Sequence, residues 1–150
     1  MLIGIGIALG ITYFYRPTMV WGISMFPTLN DMDFLIMDRN EYRHNVPEYG
    51  DIVIFKHEGK HVIKRLIGNP GDTISFKNGN VYRNGKRLKE DYLNEAYTEP
   101  GKETKLKEDE FYFLGDNREV SLDSRDMGPI NKDNIRGKVV LRIFPNYQEI

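Results

Sequence analysis

Two Asn-Gly dipeptides, Asn78-Gly79 and Asn84-Gly85, lie six residues apart near the middle of the chain. Asn-Gly is the strongest short signal for a two-residue turn between antiparallel strands, because both turn positions need a positive φ. The spacing therefore predicts three consecutive strands joined by tight turns, over residues 73–77, 80–83 and 86–88.

Other strand-like segments are short, rich in β-branched or aromatic residues, and bounded by Gly, Pro or Asp. They cover residues 51–56, 61–67, 110–114 and 138–144. Residues 91–97 indicate a short helix or turn, and the charged stretch at 102–110 indicates a solvated loop. We therefore predict a mostly β, antiparallel domain over residues 17–150, a length that suits one domain.

The first 15 residues carry no charged side chain, whereas the rest of the chain is rich in charge. As a helix they would span about 22 Å, less than the roughly 30 Å hydrocarbon core of a bilayer. A cleaved signal peptide would begin with basic residues, and a buried helix would hold fewer glycines. The third interpretation is a short membrane anchor over residues 1–16, with Tyr15 and Trp21 at the interface and Arg16 reaching out of the bilayer. We predict the anchor.

Composition excludes several classes of function. Lys+Arg number 21 and Asp+Glu 22, and a net charge of −1 argues against a general nucleic-acid binder. The chain has no cysteine, so disulfides, thiolate nucleophiles and Cys-ligated zinc are absent. His57 and His61 have a metal-binding spacing only on a helix, and Gly59 between them disfavours a helix. We therefore predict no metal and no cofactor.

Ser24 is the candidate nucleophile. It lies in a loop-like segment, two residues after Gly22 and three before Pro27. Glycine allows a substrate backbone to approach closely, and proline sets the direction of the chain. By itself the segment is more typical of a loop serine without a catalytic role.

Lys64 is the candidate general base. On a strand it shares one face with Val62 and Leu66, both apolar. Burial of that face would lower the lysine pKa from about 10.4, and a neutral amine can accept the proton of a serine hydroxyl. The alternative is an edge-strand lysine that prevents aggregation.

The segment 115–125 reads GDNREVSLDSR and is dense in hydrogen-bonding groups directly after a predicted strand. Such runs stabilise turns, and they also position catalytic side chains. Asp123 and Arg125 are spaced for a local ion pair. No histidine is placed near Ser24 to complete a Ser-His-Asp triad.

Four segments together resemble the type I signal peptidase family, the membrane-bound Ser-Lys leader peptidases of bacteria. They read SMFPTL from residue 24, YGDIV from residue 49, KRLIGNPGD from residue 64 and GDNREVSLDSR from residue 115. The resemblance extends over about residues 19–145. It implies an antiparallel β-rich catalytic domain of the signal-peptidase type, with a hydrophobic surface near the membrane and a short N-terminal membrane helix.

The resemblance also implies roles for particular residues. Ser24 would be the acylating nucleophile and Lys64 its general base, with Ser121 bonded to the lysine amine. Asp123 and Arg125 would brace that loop. The oxyanion hole would use the backbone N–H of Ser24. Some members of the family add a hydroxyl two residues before the nucleophile, where this chain has glycine instead.

The implied substrate is an exported preprotein with small residues at positions −1 and −3 of the cleavage site. The substrate would lie beside the strand of Lys64. The residues implied to bind it are Val20, Gly22, Met25, Leu29, Leu35, Val62 and Ile63. The implied partners are signal-peptide-bearing preproteins and the lipid bilayer, with no nucleic acid. The implied location is the cell membrane, with one span and the catalytic domain on the extracytoplasmic face.

Two other classes of function stay open. A membrane protein could bind exported peptides without cleaving them, although such a protein would normally lose Ser24 or Lys64. A self-cleaving repressor of the Ser-Lys type would need a DNA-binding helix-turn-helix before the catalytic domain. The 19 mostly apolar residues at the start of the chain cannot supply one.

Overall fold

The computed structural model of the chain describes residues 14–94 and 97–150. Within them the chain is almost entirely antiparallel β. The first strands are β1 (Tyr15–Met19), β2 (Phe34–Asp38), β3 (Ile52–His57), β4 (Lys60–Gly68), β5 (Thr73–Lys77) and β6 (Asn80–Arg83). The remaining strands are β7 (Lys86–Arg87), β8 (Thr104–Lys105), β9 (Glu110–Leu114), β10 (Ile130–Asn131), β11 (Ile135–Phe144) and β12 (Gln148–Glu149). Helical turns are α1 (Glu41–His44), α2 (Ser124–Met127) and a 3₁₀ turn (Lys132–Asn134).

The strands form two sheets. The larger has the order β1-β2-β11-β3-β4-β9-β10, with β12 also paired to β11, and the smaller has the order β7-β6-β5-β8. Distant parts of the chain meet in the large sheet, because β11 inserts between β2 and β3. This arrangement places the loop after β1 and the end of β9 on the same side of β4.

The Asn-Gly hairpins are confirmed. Asn78 and Gly79 have φ of 49° and 74°, and Asn84 and Gly85 have φ of 53° and 77°. Both pairs thus occupy the positive-φ positions of their turns, between β5 and β6 and between β6 and β7.

The other predicted strands are found with shifted ends, and several strands were missed. Strand β11 begins three residues before the predicted start at 138, and β8 interrupts the stretch predicted as a loop over 102–110. The described part of 91–97 forms turns. Strands β1 and β2 were not predicted; they pair with each other across a long loop, and β2 also pairs with distant β11.

The predicted anchor lies almost wholly outside the described residues. Its last residues, Tyr15 and Arg16, belong to β1 and pair with Asp38 and Met37 of β2. The folded domain therefore begins before the predicted boundary at residue 17. No helix among the described residues is both long and apolar enough to cross a bilayer.

Three apolar clusters form the core, and each fully buried aliphatic or aromatic side chain contributes about 1.5–3 kcal/mol. One face of the large sheet carries Val20, Met25, Leu29, Leu35, Met37, Ile52, Ile54 and Val139. The other face carries Val53, Phe55, Leu66, Phe111, Phe113 and Ile130. The third cluster joins the small sheet to β9 through Ile67, Ile74, Val81, Leu106, Tyr112 and Leu114.

Candidate active site

Ser24 lies in the loop between β1 and β2, and backbone contacts hold that loop at both ends. The amide of Val20 donates to the carbonyl of Asp33 at 2.9 Å. On the other side, the backbone N–H of Asn117 donates to the carbonyl of Ser24 at 3.0 Å. The side-chain amide of Asn117 donates to the carbonyl of Ile23 at 3.1 Å. The segment after β9 thus positions the serine.

Lys64 lies on β4 opposite Val53 and is 4% exposed. Its Nζ donates to Ser24 Oγ at 2.7 Å, although the two residues are 40 apart in sequence. Burial lowers the lysine pKa from 10.5 to about 8, and the negative charges of Asp123 and Asp116 partly oppose this shift. The structure therefore joins a serine hydroxyl to an amine whose pKa is lowered to about 8.

Ser121 is buried next to these residues. Its Oγ has no hydrogen-bond partner among residues 14–94 and 97–150, so the implied bond to the Lys64 amine is not formed here. A Cβ added to Gly115 would collide with the Ser121 side chain and lie 2.5 Å from the Ser24 carbonyl oxygen. Glycine at 115 therefore allows the loop to approach the nucleophile.

The predicted ion pair between Asp123 and Arg125 is confirmed. Arg125 Nε donates to Asp123 Oδ1 at 2.8 Å, and its Nη2 donates to Oδ2 at 2.9 Å. Asp123 is fully buried, caps α2, and accepts the backbone N–H of Gly115 at 3.0 Å. Arg125 also donates to the carbonyl of Arg118 at 2.9 Å. The Asp123–Arg125 ion pair therefore connects the beginning of the 115–125 segment to its end.

A second buried ion pair was not predicted from the sequence. Arg65 donates to both carboxylate oxygens of Asp116, at 2.9 and 2.6 Å. Thr28 donates its hydroxyl to Asp116 at 2.5 Å, and Arg65 reaches the carbonyl of Gly50 at 2.8 Å. This cluster joins the β1–β2 loop that holds Ser24, the strand β4 that holds Lys64, and the loop after β9. Its only signal in the sequence was Arg65, a charged residue inside an apolar strand.

Arg118 forms a second connection that was not predicted from the sequence. It is 1% exposed, and its guanidinium contacts Glu90 at 2.6 Å and Thr98 at 2.9 Å. Its Nε donates to the carbonyl of Gly115 at 2.8 Å. Arg118 thus links the 115–125 segment to the connection between β7 and β8 of the small sheet.

A groove of about 680 Å³ runs past Ser24 and Lys64. One wall belongs to the first core cluster and consists of Val20, Met25, Ile54 and Ile63. The opposite wall consists of Val62, Val120, Leu122 and Met127. Val62 and Ile63 are neighbours on β4 and point to opposite faces, so they belong to different walls. The tip of the β3–β4 hairpin closes the far end with His57, Glu58, Lys60 and His61.

Three of the implied substrate-binding residues lie outside this groove. Leu29 and Leu35 are fully buried in the first core cluster and do not line the groove, so they support its wall from behind. Gly22 is exposed, with φ of 94°, and its backbone N–H donates to Asp31 at 2.7 Å. Its role is to shape the loop, because a glycine at this φ avoids the strain of a side chain.

Comparison with known proteins gives a consistent result. The chain matches the family described as signal peptidase, peptidase S26, over residues 1–144. It is 38% identical over 147 residues to signal peptidase I P of Bacillus subtilis subsp. natto, covering 89% of this chain and 80% of the relative. It is 36% identical over 150 residues to signal peptidase I of Leptolyngbya laminosa, covering 93% of this chain and 74% of the relative.

A solved structure is also similar. A crystal structure of a signal peptidase I from Enterococcus faecalis V583 superposes with a TM-score of 0.57 at 33% sequence identity. The match covers 63% of this chain and 97% of that chain. Fold and sequence therefore point to the same family.

Proposed function

This chain belongs to the signal peptidase I family of hydrolases, whose activity is the removal of signal peptides, and we propose that it works by a Ser24–Lys64 dyad at the membrane surface. The observation that carries the proposal is the 2.7 Å contact between Lys64 Nζ and Ser24 Oγ at a buried lysine. A neutral amine at that distance is placed to accept the serine proton.

In the first half of the reaction, neutral Lys64 takes the hydroxyl proton as Ser24 Oγ attacks the carbonyl carbon of the −1 residue. The tetrahedral intermediate collapses, the C–N bond breaks, and the Lys64 ammonium donates its proton to the leaving amine. The products of this half are an acyl-enzyme ester and the mature protein. The carboxylates of Asp123 and Asp116 favour the transient ammonium, since their charges raise the lysine pKa.

In the second half, Lys64 takes a proton from water, and the resulting hydroxide attacks the ester carbonyl. Collapse returns the proton to Ser24 Oγ and releases the signal peptide with a new carboxylate. The backbone N–H of Ser24 donates to no acceptor among the described residues, and we assign it to the oxyanion. Gly22 offers no side-chain donor there, and one oxyanion donor contributes about 3 kcal/mol. Ser121 Oγ, buried nearby, is the proposed partner of the amine during turnover.

The substrate is proposed to add as a strand along the free part of β4. β9 pairs with β4 only from Arg65 onward, so the edge from Lys60 to Lys64 has no partner strand on that side among the described residues. A bound preprotein would use main-chain hydrogen bonds there. Its −1 and −3 side chains would meet the wall of Val20, Met25 and Ile63, where limited space excludes large residues.

We also propose a single membrane span in the N-terminal segment that precedes β1, with the catalytic domain on the extracytoplasmic face. Exposed apolar side chains along the β1 side of the large sheet, including Tyr15 at the start of β1, support contact of this side with the membrane. Met19, Phe34 and Phe144 follow one another across β1, β2 and β11, and Phe144 is 62% exposed. Trp21, in the adjoining loop, is 77% exposed. Aromatic side chains of this kind favour the membrane interface.

The test is cleavage of a preprotein with an Ala-x-Ala site by the full chain in neutral detergent. We expect cleavage after the −1 alanine, with Ser24→Ala and Lys64→Ala each reducing the rate at least 1,000-fold, as losses of dyad members do. Ser75→Ala and Lys56→Ala are matched controls outside the groove. Near-normal turnover by either dyad variant would reject the mechanism. Tight binding of a folded wild-type chain without cleavage would instead favour a peptide-binding protein.

A further inference from the structure

A pocket lined by basic side chains lies apart from the catalytic groove. Arg39, Arg43, Lys132 and Arg136 surround a space of about 250 Å³, and we call this site the basic pocket. A water molecule takes about 30 Å³ in the liquid, so the space is large enough for a phosphate group with part of its ester. Arg39 and Arg43 flank or belong to α1, whereas Lys132 lies in the 3₁₀ turn and Arg136 at the start of β11.

The charge of the basic pocket has no internal counterion. None of its four cations forms an ion pair with a carboxylate in residues 14–94 and 97–150. Two neighbouring carboxylates are already engaged. Asp38 accepts the backbone amides of Asn40 and Glu41, and Asp51 is bound by Tyr42 and Lys138. An anion entering the pocket would therefore displace no existing ion pair.

The guanidinium of Arg136 in the basic pocket has a fixed orientation. Arg136 Nη1 donates to the carbonyls of Asp133 and Ile135, at 2.8 and 3.1 Å, which orients a guanidinium whose charge is uncompensated. The guanidinium group suits phosphate because it presents several donors in a fixed plane. Tyr42, Pro47 and Ile135 supply the less polar side of the pocket, a surface that fits a glycerol ester better than a bare inorganic ion.

The basic pocket opens next to the place where the N-terminal segment joins the domain. The backbone amide of Arg39 donates to the carbonyl of Phe14 at 2.9 Å, directly before β1. If the segment before β1 crosses the bilayer, this contact holds the backbone of Arg39 beside the point where the chain leaves the membrane. Position, charge and the apolar side of the pocket all favour a lipid headgroup as the ligand.

We propose that the basic pocket binds the phosphate of an anionic phospholipid and so orients the catalytic domain on the membrane. This inference rests on the proposed membrane anchor. Each cation near an anionic membrane strengthens binding about fivefold. A phosphate-bearing small molecule would share the recognition chemistry, so the test separates it from the lipid.

The experiment uses the full chain in neutral detergent, titrated calorimetrically with dihexanoyl phosphatidylglycerol, dihexanoyl phosphatidylcholine and inorganic phosphate. We expect saturable binding of phosphatidylglycerol that exceeds binding of the other two. The Arg39→Gln/Arg43→Gln variant should weaken it about 30-fold, from two cations at fivefold each. The control variant Lys86→Gln/Arg87→Gln removes the same charge from exposed β7 and should change the affinity for phosphatidylglycerol less than twofold.

Three results would overturn the inference. They are equal binding of the two lipids, binding of inorganic phosphate alone, and equal loss in the two double variants. Preprotein cleavage is measured on the same samples in neutral detergent. Intact cleavage without phosphatidylglycerol selectivity rejects the basic pocket alone, whereas selective lipid binding by a wild type that does not cleave rejects the dyad proposal alone.

Discussion

The pH dependence of cleavage tests the role of Lys64 most directly. In the proposed mechanism activity needs the neutral amine, and burial lowers the lysine pKa from 10.5 to about 8. At pH 7 about one amine in ten is then neutral, against about one in 3,000 for a solvated lysine. Burial thus raises the reactive fraction about 300-fold. We expect kcat/KM to rise tenfold per pH unit below 8 and to level off above it, because kcat/KM reports the pKa of the free enzyme.

The assay measures initial rates on a preprotein with an Ala-x-Ala site from pH 6 to 10, at constant ionic strength in neutral detergent. The substrate should carry no titrating side chain from −5 to +3, so that the profile reports the enzyme. Circular dichroism at each pH shows whether the chain stays folded. Lys64→Arg serves as a companion variant, since a guanidinium keeps its proton throughout this range and should be inactive at every pH.

Three outcomes would refute this reasoning. A midpoint near 6.5 would indicate a histidine base, and His57 and His61 both line the groove. A midpoint near 10.5 would mean that the Lys64 amine is solvated in the active enzyme. A flat profile would mean that no base titrates in the range, and the dyad mechanism would be rejected.

Other substitutions test the energetics of the site. Because the folded pKa of Lys64 is lowered, the unfolded chain binds more protons between pH 8 and 10.5, and wild-type stability gains as the pH rises through that window. Lys64→Met should therefore stabilise the fold by about 2–3 kcal/mol at pH 7 in urea denaturation, with the gain fading by pH 10.5. Arg65→Met should lower the free energy of unfolding by about 3–5 kcal/mol, because it leaves the Asp116 carboxylate unpaired. The double variant Arg65→Met/Asp116→Leu should lose less stability than this single variant, and a larger loss in the double variant would contradict the pairing. Gly115→Ala should lower stability by about 1–3 kcal/mol in thermal unfolding and lower kcat about 100-fold by displacing the nucleophile loop, whereas an unchanged kcat would show that the loop tolerates the displacement.

Local chemistry explains which parts of the fold were predictable. The two hairpins around β6 follow from residues that are adjacent in sequence, since Asn and Gly adopt positive φ readily. The burial of Lys64 follows from its apolar neighbours on one face of β4. The ion pair of Asp123 and Arg125 is also local, two residues apart. In each case the partners lie within a few positions of one another.

Long-range pairing explains what was missed. Strand β2 pairs with β11, about a hundred residues later, and neither strand carries a turn signal that indicates the other. The buried contact of Arg65 with Asp116 joins residues 51 apart. Leu29 and Leu35 could be assigned to a substrate pocket from the resemblance, but their position behind the groove wall depends on how β2 packs against the large sheet.

Residue types and short-range order were enough to predict the hairpins and the family and to select Ser24 and Lys64 as the candidate dyad, because these features depend on side-chain chemistry and on turns of two residues. The 2.7 Å contact of Ser24 with Lys64, the two-walled groove and the basic pocket depend on packing between distant segments. Such packing depends on the strand order of the large sheet and on burial. Both influence the free energy of a contact only when distant segments have come together in the folded chain.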